Sequence, residues 1–194
     1  MKKENTALYI LRLTFTLLAI CAVVALALAG VNSITKDRIA AVKVEKTQKA
    51  IQAVLPDAGS VAEVPFLDET GMVSKVYAVS IGNTMAIGGY AIEVVPSGFG
   101  GAITMMVGID LEGKVTGISI ISHAETPGLG AVAAQNTDKG AAFRDQFIGL
   151  VSGITIGNGE NQIDALSGAT ISSQAIVDGV NAALGCVVAV REIH

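Results

Sequence analysis

The chain has 194 residues, of which 51% are hydrophobic, and this length suffices for one membrane segment and one domain of ordinary size. Residues 1–50 carry a net charge of +5 and residues 51–194 carry −9, so the acidic body argues against nucleic acid as a partner, because neutralising phosphates requires a basic face. Two cysteines are too few for an iron–sulfur cluster or a structural zinc site built from the chain's own thiolates.

The first predicted element is a membrane anchor at residues 13–35, which follows a short N-terminal tail at residues 1–12 and contains no charged side chain. A spanning helix needs about 20 predominantly apolar residues. A cleaved signal peptide is the alternative, but the apolar run exceeds the usual hydrophobic region of about 7–15 residues, so we favour a retained anchor. Basic residues lie on both sides, which suits anionic lipid headgroups but leaves the orientation undecided.

Residues 36–56 predict a juxtamembrane helix or stalk, which Pro56-Asp-Ala-Gly59 ends. Strands rich in β-branched and apolar residues follow, separated by glycine-containing turns, at Val73–Ile81, Gly89–Val95, Ala102–Ile109 and Val115–Ile121. Short helices are expected within residues 131–150, including Phe143–Phe147, before a long final helix from about Ser172 to Glu192. The pattern predicts an α+β domain over residues 57–194, with a twisted, mainly antiparallel sheet and packed helices.

The segment Asp164-Ala-Leu-Ser-Gly-Ala-Thr170 stands directly before the final helix. The first N–H groups of a helix lack internal partners and lie at the positive end of its dipole, which favours a bound phosphate. Hydroxyls at Thr170, Ser172 and Ser173 are each candidate N-caps. From these residues alone the segment is either an anion-binding site or an ordinary capped turn, and capped turns with such sequences are the more common.

Two further loops carry candidate binding residues. In Glu125-Thr-Pro-Gly-Leu-Gly130 the Pro-Gly pair predicts a type II turn, which would present Thr126, Leu129 and nearby amides inward. Ser97-Gly-Phe-Gly-Gly101 lacks the spacing of a dinucleotide-binding loop. His123 is expected to have a structural role. No hydrolase or metalloprotease motif is present, so nucleophilic catalysis has no support.

These blocks, together with Gly89-Tyr-Ala91, stand in the order found in FMN-binding domains, which the chain resembles from about residue 50 onward. With the anchor added, it resembles the G subunits of Rnf complexes, whose close relatives are the C subunits of sodium-translocating NADH:quinone reductases. The resemblance implies FMN joined through a phosphoester to Thr170 by a flavin transferase, which recognises Asp164, Ser167, Gly168, Ala169 and Thr170. It implies further cofactor contacts from Ser97, Gly98, Glu125, Thr126, Pro127, Gly128, Leu129, Gly130, Ser167, Gly168 and Ala169.

The resemblance implies an electron-carrier subunit of a ferredoxin:NAD+ oxidoreductase that translocates ions across the cell (inner) membrane. The anchor would cross once, with the FMN domain on the extracytoplasmic side. Partners would be the other membrane and redox subunits, the transferase during maturation, and membrane lipid. No complete active site and no metal site are expected in this chain alone. The alternatives are a quinone-reductase C subunit, a membrane-tethered FMN sensor or reductase module, and an anchored scaffold without redox function.

Overall fold

A computed structural model of the chain describes residues 6–66, 68, 70–82 and 86–193. The chain divides into two compact units, Met1–Glu45 and Lys46–His194. The predicted N-terminal tail lies partly outside the described residues. The boundaries predicted for the anchor, stalk and FMN-binding domain stay predictions.

The described residues of the first unit, 6–45, all belong to one helix that continues into the second unit. Helix α1 runs from Thr6 to Val54, and its most apolar 18-residue window has a mean hydropathy of 2.5 with no part of it buried. By length and composition this helix can cross a membrane. The hydroxyls of Thr14 and Thr16 donate to the carbonyls of Ile10 and Leu13, at 3.0 and 2.8 Å, so these polar groups are satisfied within the helix, as a lipid environment requires.

The second unit is built on five antiparallel strands that pair in chain order: β1 (Ala58–Val64), β2 (Val73–Ile81), β3 (Ile87–Val94), β4 (Thr104–Asp110) and β5 (Val115–Ser122). A 3₁₀ helix (Gly130–Ala134) and helix α2 (Asp138–Asp145) follow the sheet. The two-residue strands β6 (Thr155–Ile156) and β7 (Gln162–Ile163) come next, and helix α3 (Thr170–Ile193) ends the described chain. The predicted α+β architecture is confirmed.

One face of the sheet packs against α3. Strand residues such as Ile92 and Val107 share one buried cluster with Ile176 and Val180 of α3. Helix α3 is long and apolar enough to cross a membrane, yet 67% of its most apolar window is buried. It is therefore the core helix of this unit.

The opposite face is covered by the last turns of α1, where Ile51 and Val54 are buried with Met106 of β4. A Cβ on Gly108 would lie 2.8 Å from the Cβ of Val54, and Gly108 pairs with Gly117 of β5. These two glycines leave room for the end of the helix. The hydroxyl of Thr116 also donates to the Val54 carbonyl at 2.6 Å, which satisfies a helix-terminal acceptor.

Several elements differ from the sequence prediction. The sequence pattern predicts no strand at residues 58–64, although they form β1 and pair with β2, and it also misses the short parallel pair of β6 and β7. Helix α2 ends at Asp145, short of the predicted Phe147. Phe147 nevertheless packs edge-to-face against Phe143, with ring centroids 5.6 Å apart, and both rings are buried.

Candidate functional site

The three motif loops meet at a single cleft in the second unit. The cleft has a volume of about 370 Å³ and is lined by Phe99, Glu125, Thr126, Leu129, Gly130, Gly168, Ala169, Thr170, Ile171 and Ser172. Small-molecule sites commonly occupy about 300–1,000 Å³ and combine apolar walls with a few polar groups. The cleft has this character, with a wall from each motif.

The first wall is the start of α3. The N–H of Ser173 donates to the carbonyl of Ala169 at 2.9 Å, so Ala169 occupies the cap position and Thr170 is the first helical residue. The N–H groups of Thr170, Ile171 and Ser172 therefore have no carbonyl one turn earlier. Since these residues line the cleft, it receives the positive end of the helix dipole.

The prediction that a hydroxyl caps α3 is wrong, because these side chains are used differently. The Ser173 hydroxyl donates to the Ala169 carbonyl at 3.0 Å and accepts the N–H of Leu166 at 3.0 Å. The Ser172 hydroxyl donates to Glu125 at 2.6 Å. Thr170 lies inside the first turn with an exposed side chain. Gly168 has φ +74°, a conformation that glycine adopts without strain.

The second wall is the Glu125–Gly130 loop. The N–H of Leu129 donates to the carbonyl of Thr126 at 3.2 Å and Gly128 has φ +79°, which confirms the predicted type II turn. Thr126 and Leu129 line the cleft as expected. Pro127 and Gly128 form the exposed tip of the turn and are not among the lining residues.

The third wall comes from the loop at residues 97–101. Ser97 pairs with Ala102 as an isolated bridge, and the N–H of Gly98 donates to the carbonyl of Gly101 at 2.8 Å. Neither Ser97 nor Gly98 lines the cleft. Phe99 does so with 70% of its surface exposed, a position that the sequence pattern did not assign to the site.

Glu125 touches all three walls. Its side chain is only 6% exposed, and its Oε1 atom accepts the N–H of Gly100 at 3.0 Å. The Oε2 atom accepts the hydroxyl of Ser172 at 2.6 Å. Its own N–H donates to Nδ1 of His123 at 3.2 Å, which gives His123 the structural role expected for it. The sequence does not indicate that Gly100 and Ser172 bond to Glu125, because these residues are distant along the chain and meet only in the folded protein.

Two residues of the predicted transferase motif lie beside the cleft rather than in it. Asp164 and Ser167 are exposed and are not lining residues. The side-chain amide of Gln146 bonds the backbone of Asp164 twice: its oxygen accepts the Asp164 N–H at 2.7 Å, and its nitrogen donates to the Asp164 carbonyl at 3.4 Å. Helix α2 is thus followed directly by a residue that fixes the start of the motif.

Within the described part of the chain, no three His, Cys, Asp or Glu side chains come close enough to hold a metal ion. Cys186 is buried in α3, and burial raises the pKa of its thiol to about 11. A thiol of this kind is a poor nucleophile near neutral pH, because the thiolate is the reactive form.

Sequence comparison shows which known proteins this chain resembles. Residues 98–185 match the family model of the FMN-binding domain. The G subunit of the Na+-translocating ferredoxin:NAD+ oxidoreductase complex of Acetobacterium woodii is 35% identical over 89% of this chain and 88% of its own length. The chain belongs to the G-subunit family of ion-translocating oxidoreductase complexes.

Other members of the G-subunit family align over almost the whole chain. The G subunit of the ion-translocating oxidoreductase complex of Methanosarcina acetivorans is 32% identical over 90% of this chain and 93% of its own length. The G subunit of the proton-translocating ferredoxin:NAD+ oxidoreductase complex of Clostridium ljungdahlii is 31% identical over 95% of each. All ten lining residues of the cleft fall within the part matched by the FMN-binding domain.

Proposed function

We propose that this chain is the FMN-carrying electron-transfer subunit of an ion-translocating ferredoxin:NAD+ oxidoreductase. The observation that carries the proposal is the cleft itself, where the three motif loops surround the N-terminus of α3. The similar G subunits belong to complexes of this kind, so the other membrane and redox subunits of such a complex are the partners that we expect.

The residues at the start of α3 fit a phosphate attached to Thr170. The Thr170 side chain is exposed and lines the cleft, while Gly168 keeps the preceding turn free of a side chain. In the proposed reaction the Thr170 Oγ1–phosphorus bond forms at the flavin-bearing phosphorus of a flavin phosphoanhydride, while the anhydride P–O bond breaks. The second phosphate leaves with its substituent, and the hydroxyl proton passes to solvent. The unpaired N–H groups of the first turn would hold the remaining phosphate oxygens.

The rest of the cleft suits a flat aromatic ring with a polar edge. Phe99, Leu129 and Ile171 supply exposed apolar surface, and Thr126 supplies a hydroxyl. Bound flavin supplies the capacity to take up two electrons and release them singly, which joins two-electron and one-electron donors and acceptors. The protein's part is to hold the ring, orient it and limit its contact with water.

We propose that the transferase binds the segment from Asp164 to Thr170 through its exposed residues. Asp164 and Ser167 are solvent-accessible, and the Gln146 amide fixes the Asp164 backbone. An enzyme approaching from outside would meet a preformed segment that ends at the acceptor hydroxyl. The fold therefore leaves Asp164, Ser167 and Thr170 accessible, while Ala169 is buried beneath them.

We further propose that residues 13–35 cross the membrane once and that the second unit lies on the extracytoplasmic side. The run carries no charge and adopts a continuous helix with exposed apolar side chains, which in a bilayer would contact lipid. The relatives at 31–35% identity are G subunits, which favours this family over a quinone-reductase C subunit or a solitary tethered module.

The deciding experiment is expression of the full chain with its flavin transferase, followed by denaturation and detection of flavin fluorescence on a gel. We expect flavin that survives denaturation, on the peptide that contains Thr170. Thr170→Ala should abolish it and Thr170→Ser should retain it, because serine keeps the acceptor hydroxyl. A wild-type band without flavin fluorescence, obtained in the presence of active transferase, would refute the proposal. A control protein that is known to be flavinylated establishes that the transferase is active.

A further inference from the structure

We propose that Glu125 is a positioning residue whose buried carboxylate sets the separation of the three walls of the cleft. This inference rests on the proposed function, because the cleft is taken to hold the flavin. In it Glu125 acts through Gly100 and Ser172 and not on the reacting atoms of the cofactor. The sequence resemblance places Glu125 only among the residues that contact FMN.

The first support is the pattern of hydrogen bonds. The two oxygens of one carboxylate are bonded to two separate walls, Oε1 to the N–H of Gly100 at 3.0 Å and Oε2 to the hydroxyl of Ser172 at 2.6 Å. The second distance is at the short end of the range for O–H···O hydrogen bonds. Gly100 lies 25 residues before Glu125 in the chain and Ser172 lies 47 residues after it, so this side chain joins segments that no local structure holds together.

The second support is the space left for the carboxylate. A Cβ on Gly98 would overlap Oε1, and a Cβ on Gly130 would lie 2.6 Å from Oε2. Two glycines, one in each of two walls, therefore leave space for the Glu125 carboxylate. Ser172 is only 2% exposed, so its bond to Glu125 is shielded from water. Removing a partner from such a bond leaves the other polar group buried and unsatisfied.

The consequence is geometric. Ser172 lies two residues beyond Thr170 on the first turn of α3, and Glu125 directly precedes the type II turn that carries Leu129. The Glu125–Ser172 bond thus fixes the distance between the attachment point and the opposite wall. Without it, the flavin would stay tethered at Thr170 but its ring would be held less firmly.

The test uses the full chain, produced with its transferase and, separately, without it. Two readouts are compared: iodide quenching of the fluorescence of the attached flavin, and the Tm of the flavin-free protein. The variants are Glu125→Ala, Glu125→Gln and Ser172→Ala, and the matched control is Glu112→Ala, which removes an exposed carboxylate in the β4–β5 turn.

We expect Glu125→Ala to increase the iodide quenching constant at least threefold and to lower the flavin-free Tm by at least about 4 °C. Ser172→Ala should show a smaller change in the same direction, because the bond to Gly100 remains. Glu125→Gln should recover most of the loss, since its amide keeps an acceptor for Gly100 and a donor toward Ser172. Glu112→Ala should match the wild type in both readouts.

The outcomes are separable. Iodide quenching that is the same in Glu125→Ala and Ser172→Ala as in the wild type would overturn the inference. A Glu125→Gln variant as impaired as Glu125→Ala would also overturn it, because the charge of Glu125, and not its hydrogen bonds, would then be what matters. If Glu125→Ala does not fold, Ser172→Ala and Glu125→Gln still decide the question. A wild-type protein without attached flavin would refute the proposed function but not this inference. Flavin-free Glu125→Ala and Ser172→Ala with the same Tm as the flavin-free wild type would refute the role of Glu125 in joining the walls.

Discussion

Thr170 and Ser172 stand two residues apart in the first turn of α3, yet their hydroxyls have different environments. Thr170 is exposed at the cleft. Ser172 is buried and bonded to Glu125, and the neighbouring Ser173 is fully buried with its hydroxyl bonded to Leu166 and Ala169. Access, and not the presence of a hydroxyl, would therefore decide which of the three side chains accepts the proposed FMN phosphoester.

From this difference we predict that modification does not move to a neighbouring hydroxyl when Thr170 is lost. In Thr170→Ala, the peptide containing Ser172 and Ser173 should carry no FMN after digestion and mass spectrometry. The wild-type peptide, processed in parallel, should carry one FMN. Flavin on either serine would show that the buried hydroxyls become accessible and would contradict the assignment.

Asp68 makes a pH-dependent contribution to stability. Burial acts to raise the pKa of its carboxyl, but hydrogen bonds from the Thr70 hydroxyl and from the N–H groups of Val73, Thr70 and Gly71 prevail and lower the pKa below its usual 3.8. Because the folded pKa is the lower one, the stabilisation is present above about pH 4 and is lost as pH falls through the folded pKa.

We therefore predict that Asp68→Ala lowers the free energy of unfolding by about 1 kcal/mol at pH 7. The gap between variant and wild type should narrow steadily as the pH falls below 4. Denaturant unfolding at pH 7, 5 and 3 measures it, with Asp57→Ala, which removes an exposed carboxylate, as the control. A gap that is constant over this range would mean that the Asp68 carboxylate contributes no charge-dependent stabilisation.

At the scale of elements, the strands with strong β-branched patterns could be predicted from sequence, and β2 has the predicted bounds. Strand β1 has the sequence Ala-Gly-Ser-Val-Ala-Glu-Val, which consists mostly of small residues, and it is exposed except for a half-buried residue at each end. Because neither face of this strand is buried, its sequence lacks the alternation of apolar and polar residues that indicates a strand. Strands β6 and β7 have two residues each, too few for any pattern. The link from Glu125 to Ser172 arises from tertiary approach, which single-sequence patterns do not encode.

Helix α3 contains two glycines with opposite surroundings. A Cβ on Gly179 would lie 2.5 Å from Cε of Met105 and 2.9 Å from Cγ of Pro96, whereas one on Gly185 would meet no atom within 4 Å. The Met105 end is flexible, but the Pro96 ring cannot move aside easily. Gly179 therefore permits the close packing of α3 on the sheet, and Gly185 is only a weak helix former.

We predict that Gly179→Ala destabilises the protein by about 1–3 kcal/mol through overpacking. Gly185→Ala should stabilise it by about 0.5–1 kcal/mol, because alanine favours the helix and restricts the unfolded chain. Thermal unfolding of the two variants side by side provides its own control. Shifts of the same sign would contradict this account of how α3 packs.

At the scale of the whole molecule, each unit contains one cysteine, Cys21 in the first and Cys186 in the second, so thiol labelling can probe both units. Cys186 is 5% exposed, and burial raises the pKa of its thiol to about 11, so the thiol stays protonated and unreactive at pH 8. Cys21 lies in the apolar run of α1, which we propose to be embedded in lipid. In neither place would a membrane-impermeant thiol reagent reach a reactive sulfur.

Intact membranes that contain the full chain should accordingly show no labelling by a charged maleimide at pH 8. Detergent with denaturant should then permit labelling of both cysteines. A serine variant of each cysteine assigns the signal. Glu112→Cys, at an exposed position of the second unit, is the positive control when the reagent is applied from the side on which that unit lies. Labelling of Cys21 in sealed membranes would contradict a membrane-embedded anchor.

The order of the elements along the chain also sets when the cleft can exist. Each of the five strands pairs with its sequence neighbour, and such local pairings form faster than distant ones. Helix α3, by contrast, is the final 24-residue element, and it supplies both a large share of the buried core and the wall with Thr170. The strands therefore precede the proposed attachment site in the order of synthesis, and that site exists only once α3 has packed on the sheet. Attachment of flavin to Thr170 in its folded setting would therefore mark a chain in which α3 has docked.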